Sequence, residues 1–428
     1  MLQFTTAVVM TMWTINVSVP YQPMSLQISP HLNVVSVGAR NCPDNTKSKL
    51  FFYGLQNGKI QGSINGISQA ALARQALSMT ASIAGVGWNK ELGVTDVYGP
   101  GNFVKSFYGE PSMQIPTAIS HDGLVSAYLT EPKPDDKHIN NRTATLTIVD
   151  GKTGKPTYQL NVSGQEACDP QSVAMSSFSS SSNSNLYTIG AVLGSINYII
   201  DYDTIQKKGT VVWSSNCLEV DVTISGRGNY FAITSGCGKN VKIYGRDSSF
   251  NNSFNNSFSL ISTIQSPGKF GILQPMVLTF DRHILKSSFL AIVWGDATGT
   301  KIIVTTHIIK KNKVNNVWET MIECPNGKSF DYVMQSGFAM SDGGEYVAMG
   351  DWGCQADNPT QNGNIFVYQG RDGDGTAMLN KTVLGQIWAV DISTKTDENK
   401  TIFVSSGSWS SEPNASPAQI STWSVSLP

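Results

Sequence analysis

The stretch that decides the fold is Gly337–Tyr368, which reads GFAMS-DGG-EYVAMGDWG, then a polar loop, then NIFVY. Its apolar runs are short, rich in β-branched and aromatic residues, and separated by Gly, Asp and Asn. Runs of this length with turn residues between them are typical of β-strands joined by tight turns. The stretch therefore predicts three consecutive antiparallel strands, and a fourth run follows in the sequence.

This unit recurs along the chain. Clear copies occupy Met24–Tyr53, Pro116–Asp150 and Val220–Tyr244, and the start-to-start spacing is about 40–60 residues. A period of this size indicates an all-β chain of repeated four-stranded sheets in one domain over residues 1–428. We expect about eight units, or alternatively seven, starting near residues 24, 76, 114, 172, 219, 273, 334 and 388.

The two ends of the chain complement each other. Residues 388–427 supply only three strands, and residues 4–19 supply one strand with no unit of its own. Pairing of these segments would complete the last sheet and leave no exposed edge between the termini. Alternatively, residues 7–19 are the apolar core of a secretory signal, although no basic residue precedes Arg40.

The motif "apolar–Ser–x–Asp–Gly–x–Tyr–apolar–Gly … Val–Tyr" resembles the blades of the WD-repeat and quinoprotein-like β-propeller superfamily. The resemblance implies a single propeller of four-stranded blades, closed by its terminal strands. It implies no particular activity, because propellers host many unrelated functions. A quinoprotein dehydrogenase is one option within this superfamily, but the adjacent Cys-Cys pair of those enzymes is missing here.

The six cysteines suggest three disulfides. Cys217 and Cys237 lie about equally far from the turn near Arg227, so antiparallel pairing places them opposite each other. Cys324 and Cys354 take related positions in a later unit, and we expect them to pair as well. Cys42 and Cys168 pair only by elimination. Zinc binding is the alternative, but no CxxC spacing supports it, and we expect no metal site.

The composition favours the secretory route and a secreted or cell-surface location. Paired cysteines suit an oxidising compartment. Eight Asn-x-Ser/Thr sequons add to this, at Asn16, Asn141, Asn161, Asn251, Asn255, Asn380, Asn399 and Asn414. The formal net charge is −1, so no global field attracts nucleic acid. No apolar run is long enough for a transmembrane helix.

Tryptophans recur where the second strand of a unit ends, at Trp88, Trp294, Trp352 and Trp409. Asp296 and Asp351 lie close to two of them in sequence. An exposed indole beside a carboxylate can stack on a sugar ring while the carboxylate accepts hydrogen bonds from hydroxyls. These six residues are thus a hypothetical binding site. The alternative is that the indoles pack between sheets. Trp213 and Trp318 lie on outer strands, and we expect them to pack in the core or at a sheet edge.

Two classes of function remain open at this stage. The first is an extracellular binding or adhesion module for a glycan or a protein, which acts through its long loops and needs no cofactor. The second is a carbohydrate-active hydrolase or lyase that uses paired carboxylates, with Asp296, Asp351 and Asp357 as the acids to test. An intracellular scaffold is a further alternative that native disulfides would exclude. The sequence does not determine the oligomeric state.

Overall fold

The fold consists of repeated antiparallel sheets. The structure, a computed structural model, describes residues 8–17, 21–29, 33–41, 48–67, 117–120, 124–130, 143–150, 155–163, 170–176, 179, 185–193, 196–216, 221–234, 240–246, 257–267, 273–280, 287–296, 301–324, 337–354, 362–394, 401–409 and 418–426. These residues form seven four-stranded sheets. Six are meanders of consecutive strands, the arrangement found in propeller blades, and the seventh takes its fourth strand from the N-terminal segment. The predicted unit near Ala76 lies outside the described residues.

The sheets are numbered in chain order. Sheet 1 contains β2 (Tyr21–Ser29), β3 (Val34–Asn41), β4 (Ser48–Gly54) and β5 (Ile60–Ile67). Sheet 2 contains β6 (Thr117–Ile119), β7 (Val125–Thr130), β8 (Thr143–Asp150) and β9 (Pro156–Ser163). Sheet 3 contains β10 (Pro170–Met175), β11 (Leu186–Leu193), β12 (Ile196–Asp203) and β13 (Lys208–Ser215). Sheet 4 contains β14 (Val222–Ile224), β15 (Tyr230–Thr234), β16 (Asn240–Arg246) and β17 (Phe258–Gln265).

The remaining sheets follow the same pattern. Sheet 5 contains β18 (Leu273–Phe280), β19 (Ser288–Asp296), β20 (Lys301–Lys310) and β21 (Lys313–Glu323). Sheet 6 contains β22 (Phe338–Met340), β23 (Tyr346–Gly350), β24 (Gly363–Gln369) and β25 (Ala377–Val383), with a 3₁₀ turn at Asp342–Gly344. Sheet 7 contains β26 (Gln386–Thr394), β27 (Thr401–Trp409), β28 (Gln419–Ser426) and, as its fourth strand, β1 (Val8–Asn16).

The N-terminal segment thus forms a strand that is hydrogen-bonded to the last strand of the chain. Its register runs from Val8 opposite Ser426 to Asn16 opposite Gln419. One extra residue, Met12, interrupts the register as a β-bulge. The fourth strands β9, β13, β17 and β25 also carry a one-residue bulge against the third strand of their sheet, and β5 carries two. A bulge twists an edge strand and so discourages further pairing at that edge.

The core lies in layers between consecutive sheets. The chain divides into two compact units, Met1–Leu72 with Ala291–His307 and Asn316–Pro428, and Ala73–Leu290 with Ile308–Asn315. Within the first unit, buried clusters join sheet 6 to sheet 7 and sheet 7 to sheet 1. Within the second unit, they join sheet 2 to sheet 3 and sheet 3 to sheet 4. Strands in the middle of a sheet are accordingly buried on both faces, whereas the fourth strands are largely exposed.

An aromatic side chain on the fourth strand joins one sheet to the next. Trp13 in β1 donates its indole N–H to the carbonyl oxygen of Leu55 at 2.7 Å. Trp318 in β21 makes the same bond to Gly370, also at 2.7 Å. Both acceptors lie two residues after a tyrosine that contacts the indole, Tyr53 or Tyr368. We call each of these arrangements an indole latch.

Glycines leave room for the latches. Gly58 has a φ of +62°, and a Cβ there would lie 2.7 Å from the Trp13 ring. Gly375 has a φ of +83°, and a Cβ there would lie 3.1 Å from the carbonyl oxygen of Glu319. Only glycine adopts such backbone conformations at little cost. Each latch therefore restricts the residue type at two positions, the tryptophan and the nearby glycine with positive φ.

Related aromatic contacts join sheets of the second unit. Trp213 in β13 packs on Tyr244 of sheet 4, with ring centroids 5.0 Å apart. Tyr202 of sheet 3 donates its hydroxyl to Oγ1 of Thr157 in β9 at 2.6 Å. The expectation that Trp213 and Trp318 pack in the core or along sheet edges agrees with these positions.

Buried carboxylates also connect neighbouring sheets. Asp391 Oδ2 in β26 accepts the backbone N–H of Ile28 in sheet 1 at 2.8 Å. Asp221 Oδ2 accepts the backbone N–H of Leu278 in sheet 5 at 2.9 Å. Asp201 in sheet 3 forms a bidentate pair with Arg246 in sheet 4, and both N–O distances are 2.7 Å. Such pairs fix geometry, because breaking one leaves an uncompensated buried charge.

Substitution of Trp13 tests the latch at the N-terminal strand. We expect Trp13→Ala to lower the free energy of unfolding by about 3–5 kcal/mol, because it empties a buried indole site and leaves the Leu55 carbonyl without its donor. Met10→Ala, on the same strand but 57% exposed, should change stability by less than about 0.5 kcal/mol. Urea unfolding of both variants measures the difference. If both substitutions lowered the free energy of unfolding equally, Trp13 would not form a stabilising latch.

Candidate functional site

The structure separates the residues of the sequence-derived site. Trp294 and Asp351 are completely buried, at 0% exposure. Trp352 is partly exposed. Trp88 and the side chains of Asp296 and Trp409 lie outside the described part of the chain. The six residues are therefore not a common exposed platform, and the prediction is wrong for Trp294 and Asp351.

Trp294 is a core residue. It lies in β19, where its indole N–H donates to Thr305 Oγ1 at 2.8 Å. The same hydroxyl lies 3.1 Å from Nε2 of His307. Burial lowers the pKa of His307 to about 4, so this imidazole is neutral at physiological pH. The indole is enclosed because β19 is buried on both of its faces, and no ligand can stack on it.

Asp351 holds the base of a loop. It follows β23, and its Oδ1 accepts backbone N–H groups from Gly353 at 2.9 Å and Asn364 at 2.7 Å. The side-chain amide of Asn364 lies 3.4 Å from both carboxylate oxygens. This carboxylate therefore joins the two ends of the segment between β23 and β24. It has no exposed surface with which to accept hydrogen bonds from a sugar or to act on a substrate.

Burial also changes the acidity of Asp351. Desolvation raises its pKa to about 6, and the hydrogen bonds from Asn364 and Gly353 only partly oppose that rise. The Tyr368 hydroxyl has its own pKa raised, first by burial and then by the charge of Asp351. Among the described residues, no lysine or arginine pairs with Asp351. The described groups that donate hydrogen bonds to it, from Gly353 and Asn364, are neutral.

Trp352 packs against a tryptophan that the sequence-derived site did not include. Its ring centroid lies 4.5 Å from that of Trp388 in β26, at an interplanar angle of 36°. Backbone bonds bring the two residues together, because Ile387 donates its N–H to the carbonyl oxygen of Asp351 at 3.2 Å. Both indoles are partly exposed. Leu384, in the turn before β26, is 46% exposed.

We call Trp352, Trp388 and Leu384, together with the buried Asp351, the Trp352 patch. It lies where segments of sheets 6 and 7 meet: Gly363 donates its N–H to the carbonyl oxygen of Gly385 at 2.8 Å. The recurrence of tryptophan at the end of a second strand does not mark Trp388, because this residue lies near the start of its strand. In the sequence, Trp388 can be recognised as a tryptophan within a predicted strand of the last repeated unit.

A disulfide ties this region to the preceding sheet. Cys324 follows β21 and is bonded to Cys354, and their Cα atoms are 5.4 Å apart. The bridge expected between these two cysteines is thus present. The other four cysteines, Cys42, Cys168, Cys217 and Cys237, lie outside the described residues. Residues 351–354 are therefore held both by a covalent bond and by the Asp351 carboxylate.

In the described ranges, no three His, Cys, Asp or Glu side chains are grouped so as to bind a metal ion. No helix in that part of the chain has the length and hydrophobicity to cross a bilayer.

Comparisons with known proteins concern the fold. No protein-family model matches the chain, and no curated protein matches it. Similar solved structures include the β-propeller domain of Cps50 (Swd1) from Myceliophteria thermophila, at 9% identity over 97% of this chain and 99% of that chain, with a TM-score of 0.49. A chain from a mitotic checkpoint complex is 10% identical over 97% of this chain and 95% of its own, with a TM-score of 0.46. A functionally unknown protein from Desulfotomaculum acetoxidans is 10% identical over 87% and 92%, with a TM-score of 0.44. The chain resembles these structures in fold alone.

The raised pKa of Asp351 gives a test by pH. Because the folded-state pKa of about 6 exceeds the ordinary value of 3.8, the folded state binds this proton more tightly than the unfolded state does. The resulting stability is fully present below about pH 4 and is lost as the pH rises through about 6. The loss should amount to about 3 kcal/mol at neutral pH. Asp351→Asn, which keeps an acceptor at Oδ1, should remove this contribution, so that in urea unfolding the free energy of unfolding of the wild type minus that of the variant should fall by about 3 kcal/mol between pH 4 and 7. The lowered pKa of His307 gives an opposite pH dependence that both proteins share and that the difference cancels.

Asp374 offers a matched control. It is a fully exposed carboxylate whose pKa is lowered by hydrogen bonds from Thr376. Asp374→Asn should leave the pH profile of the free energy of unfolding between pH 4 and 7 as it is in the wild type. An Asp351→Asn protein with the pH profile of the wild type would contradict our description of Asp351.

Proposed function

We propose that this chain is a β-propeller that binds another protein, and that it acts outside the cytosol. The observation that carries the proposal is the contrast between its interior and the Trp352 patch. The buried polar and aromatic groups described above are occupied in holding sheets and loops together. The Trp352–Trp388 pair is partly exposed on a disulfide-tethered scaffold, and Trp388 also packs against the core between sheets 7 and 1. Partly exposed aromatic residues of this kind are the usual anchors of protein interfaces.

We also propose that β1 closes the ring of blades, and that the seven described sheets are seven of those blades. Two contacts support closure between sheets 7 and 1. Trp13 latches onto Leu55, and Asp391 accepts the N–H of Ile28. A ring closed between its first and last strands would remove the open sheet edges at the termini.

Location in the secretory pathway is supported by features of the surface. The Cys324–Cys354 bridge suits an oxidising compartment. Three sequon asparagines lie within the described residues, at Asn16, Asn161 and Asn380. The side chains of Asn16 and Asn161 accept hydrogen bonds through Oδ1 from Gln419 and Thr145 of the adjacent strand. All three asparagines are exposed and lie on the fourth strand of a sheet. We therefore propose that they carry N-linked glycans.

A protein ligand is favoured over a glycan. A sugar-binding site pairs an exposed ring with polar groups that can accept hydrogen bonds from hydroxyls. Trp294 offers no exposed ring, and the Asp351 carboxylate is enclosed by Gly353 and Asn364. The same enclosure argues against a hydrolase or lyase that uses Asp351 as a catalytic acid.

The compartment can be tested on protein purified from its source cells after rapid alkylation of free thiols. We expect non-reduced peptide mapping to find Cys217–Cys237 and Cys324–Cys354 disulfides and glycosidase-sensitive mass on the Asn161 and Asn380 peptides. Six alkylated cysteines and unmodified asparagines would contradict an extracytosolic location.

The ligand class can be tested with an array of purified secreted and cell-surface proteins and a parallel panel of polysaccharides. We expect retention of a protein, reduced on the order of tenfold by Trp388→Ala. Leu260→Ser, which changes a 53% exposed residue on β17, should bind like the wild type. Retention of a polysaccharide alone, or release of sugar products, would contradict the proposal.

A further inference from the structure

Positive charge is concentrated in the turns between the third and fourth strands of sheets 2 to 5. Counted from the last residue of one strand to the first of the next, these turns are 150–156, 203–208, 246–258 and 310–313. We call them the basic turns. Their sequences contain eight lysines and arginines, three aspartates and no glutamate. Because the whole chain has a net charge of −1, this excess of positive charge is a local property.

Contacts between neighbouring sheets place the basic turns side by side. The Tyr202 hydroxyl, next to the turn of sheet 3, donates at 2.6 Å to a threonine next to the turn of sheet 2. Arg246, which begins the turn of sheet 4, forms an ion pair at 2.7 Å with Asp201 of sheet 3. A Cβ on Gly245 would lie 3.2 Å from Oδ1 of Asn312 in the turn of sheet 5. Lysines from separate sheets therefore lie on one side of the second compact unit.

The lysines of these turns are exposed, and local contacts define the turns that carry them. Asp203 Oδ1 accepts the N–H groups of Ile205 and Gln206 at 2.8 and 2.9 Å. Lys311 and Asn312 have φ values of 51° and 60°, as in a two-residue type I′ hairpin. The exposed lysines are Lys155, Lys207, Lys208, Lys310, Lys311 and Lys313. Because the backbone of these turns is already ordered, binding costs less conformational entropy.

One apolar side chain lies among the lysines. Ile205 is 74% exposed, the largest exposure of any large apolar side chain among the described residues. It precedes Lys207 by two residues in the turn of sheet 3. An apolar group that covered Ile205 would remove apolar surface from water, which favours binding. A matching ligand thus combines several negative charges with an apolar group.

The geometry points to a second interaction surface: we propose that the basic turns bind an acidic segment of a partner protein that also carries an apolar side chain. Such a segment supplies carboxylates for several lysines and an aliphatic group for Ile205. A single exposed ion pair contributes little, so binding requires several of them together. A sulfated polysaccharide would also supply anions, but it offers no aliphatic side chain to cover Ile205.

This surface is separate from the Trp352 patch. The basic turns belong to the compact unit Ala73–Leu290 with Ile308–Asn315, whereas Trp352 and Trp388 belong to the other unit. The inference therefore goes beyond the proposed function, and either can fail without the other.

The test uses the full-length, non-reduced protein and three peptides with blocked ends. The acidic peptide is Glu-Asp-Glu-Leu-Glu-Asp-Glu, the neutral peptide is Gln-Asn-Gln-Leu-Gln-Asn-Gln, and the third is the acidic peptide with Ser in place of Leu. Isothermal titration calorimetry at neutral pH and low salt should give a Kd of about 1 mM or tighter for the acidic peptide. The neutral peptide should bind on the order of tenfold more weakly, and salt raised to about 0.5 M should weaken the acidic peptide by a similar factor.

Four variants locate the surface. Lys208→Glu/Lys313→Glu should weaken binding of the acidic peptide on the order of tenfold. Ile205→Ser should weaken it several-fold for the peptide with Leu and leave the peptide with Ser unchanged. Lys381→Glu, at an exposed position on β25, and Trp388→Ala should both bind the acidic peptide like the wild type. Thermal melts of each variant establish that a loss of binding is not a loss of folding.

Three results would overturn the inference. The first is equal binding of the acidic and neutral peptides, and the second is no binding of the acidic peptide up to about 10 mM. The third is a Lys208→Glu/Lys313→Glu protein that binds like the wild type. Parallel titrations with heparin and with vesicles of phosphatidylcholine and phosphatidylglycerol identify the alternatives. If either binds while the acidic peptide does not, the ligand of the basic turns is a polysaccharide or a membrane and the inference fails, whereas the proposed function is judged by the protein array and Trp388→Ala.

Discussion

The four-stranded sheets of this chain cannot cover their own apolar faces, so each depends on contact with the next. The indole latch shows how that contact is made specific. A tryptophan on the exposed fourth strand reaches the turn of the next sheet, where it meets a tyrosine, a carbonyl oxygen and a glycine. One side chain thereby combines apolar burial with a hydrogen bond that only the correct neighbour can accept. Trp13 and Trp318 repeat this arrangement at two places far apart in sequence.

The same dependence explains why the buried polar residues of this chain are structural. Asp391, Asp221 and Asp201 each use a carboxylate to bind a group of the adjacent sheet. Asp351 does so within one sheet, where it closes a loop. Because these acids are already engaged, they are poor choices for catalysis. The Trp352 patch is partly exposed surface beside the loop that Asp351 closes, which is why we propose it as the binding surface.

Much of the fold could be predicted from the sequence because turns and strand lengths are local properties. Gly343 and Gly344 mark a turn between two short apolar runs, and the unpaired strand at the N-terminus needed a partner at the C-terminus. The position of Cys324 and Cys354 about a hairpin likewise indicated their bridge.

The site was less predictable for a physical reason. Strands buried on both faces show no alternation of apolar and polar residues, so their sequence does not reveal which side chains reach solvent. Trp294 and Trp352 both end a predicted second strand, yet the first is enclosed and the second is partly exposed. Their difference depends on packing against other strands. The pairing of Trp352 with Trp388 is likewise set by hydrogen bonds between sheets, which no local pattern contains.

The pairing of β1 with β28 supplies sheet 7 with its fourth strand. Thr14 and Ser421 lie opposite each other, with their hydroxyl oxygens 3.0 Å apart. In a Thr14→Cys/Ser421→Cys variant, non-reduced peptide mapping should find a disulfide between these positions. It should find little in a Thr14→Cys/Ser424→Cys variant, because Ser424 lies opposite Met10. Free thiols at both positions of the first variant, or equal linkage in the two variants, would contradict the assignment of β1 as the last strand of sheet 7.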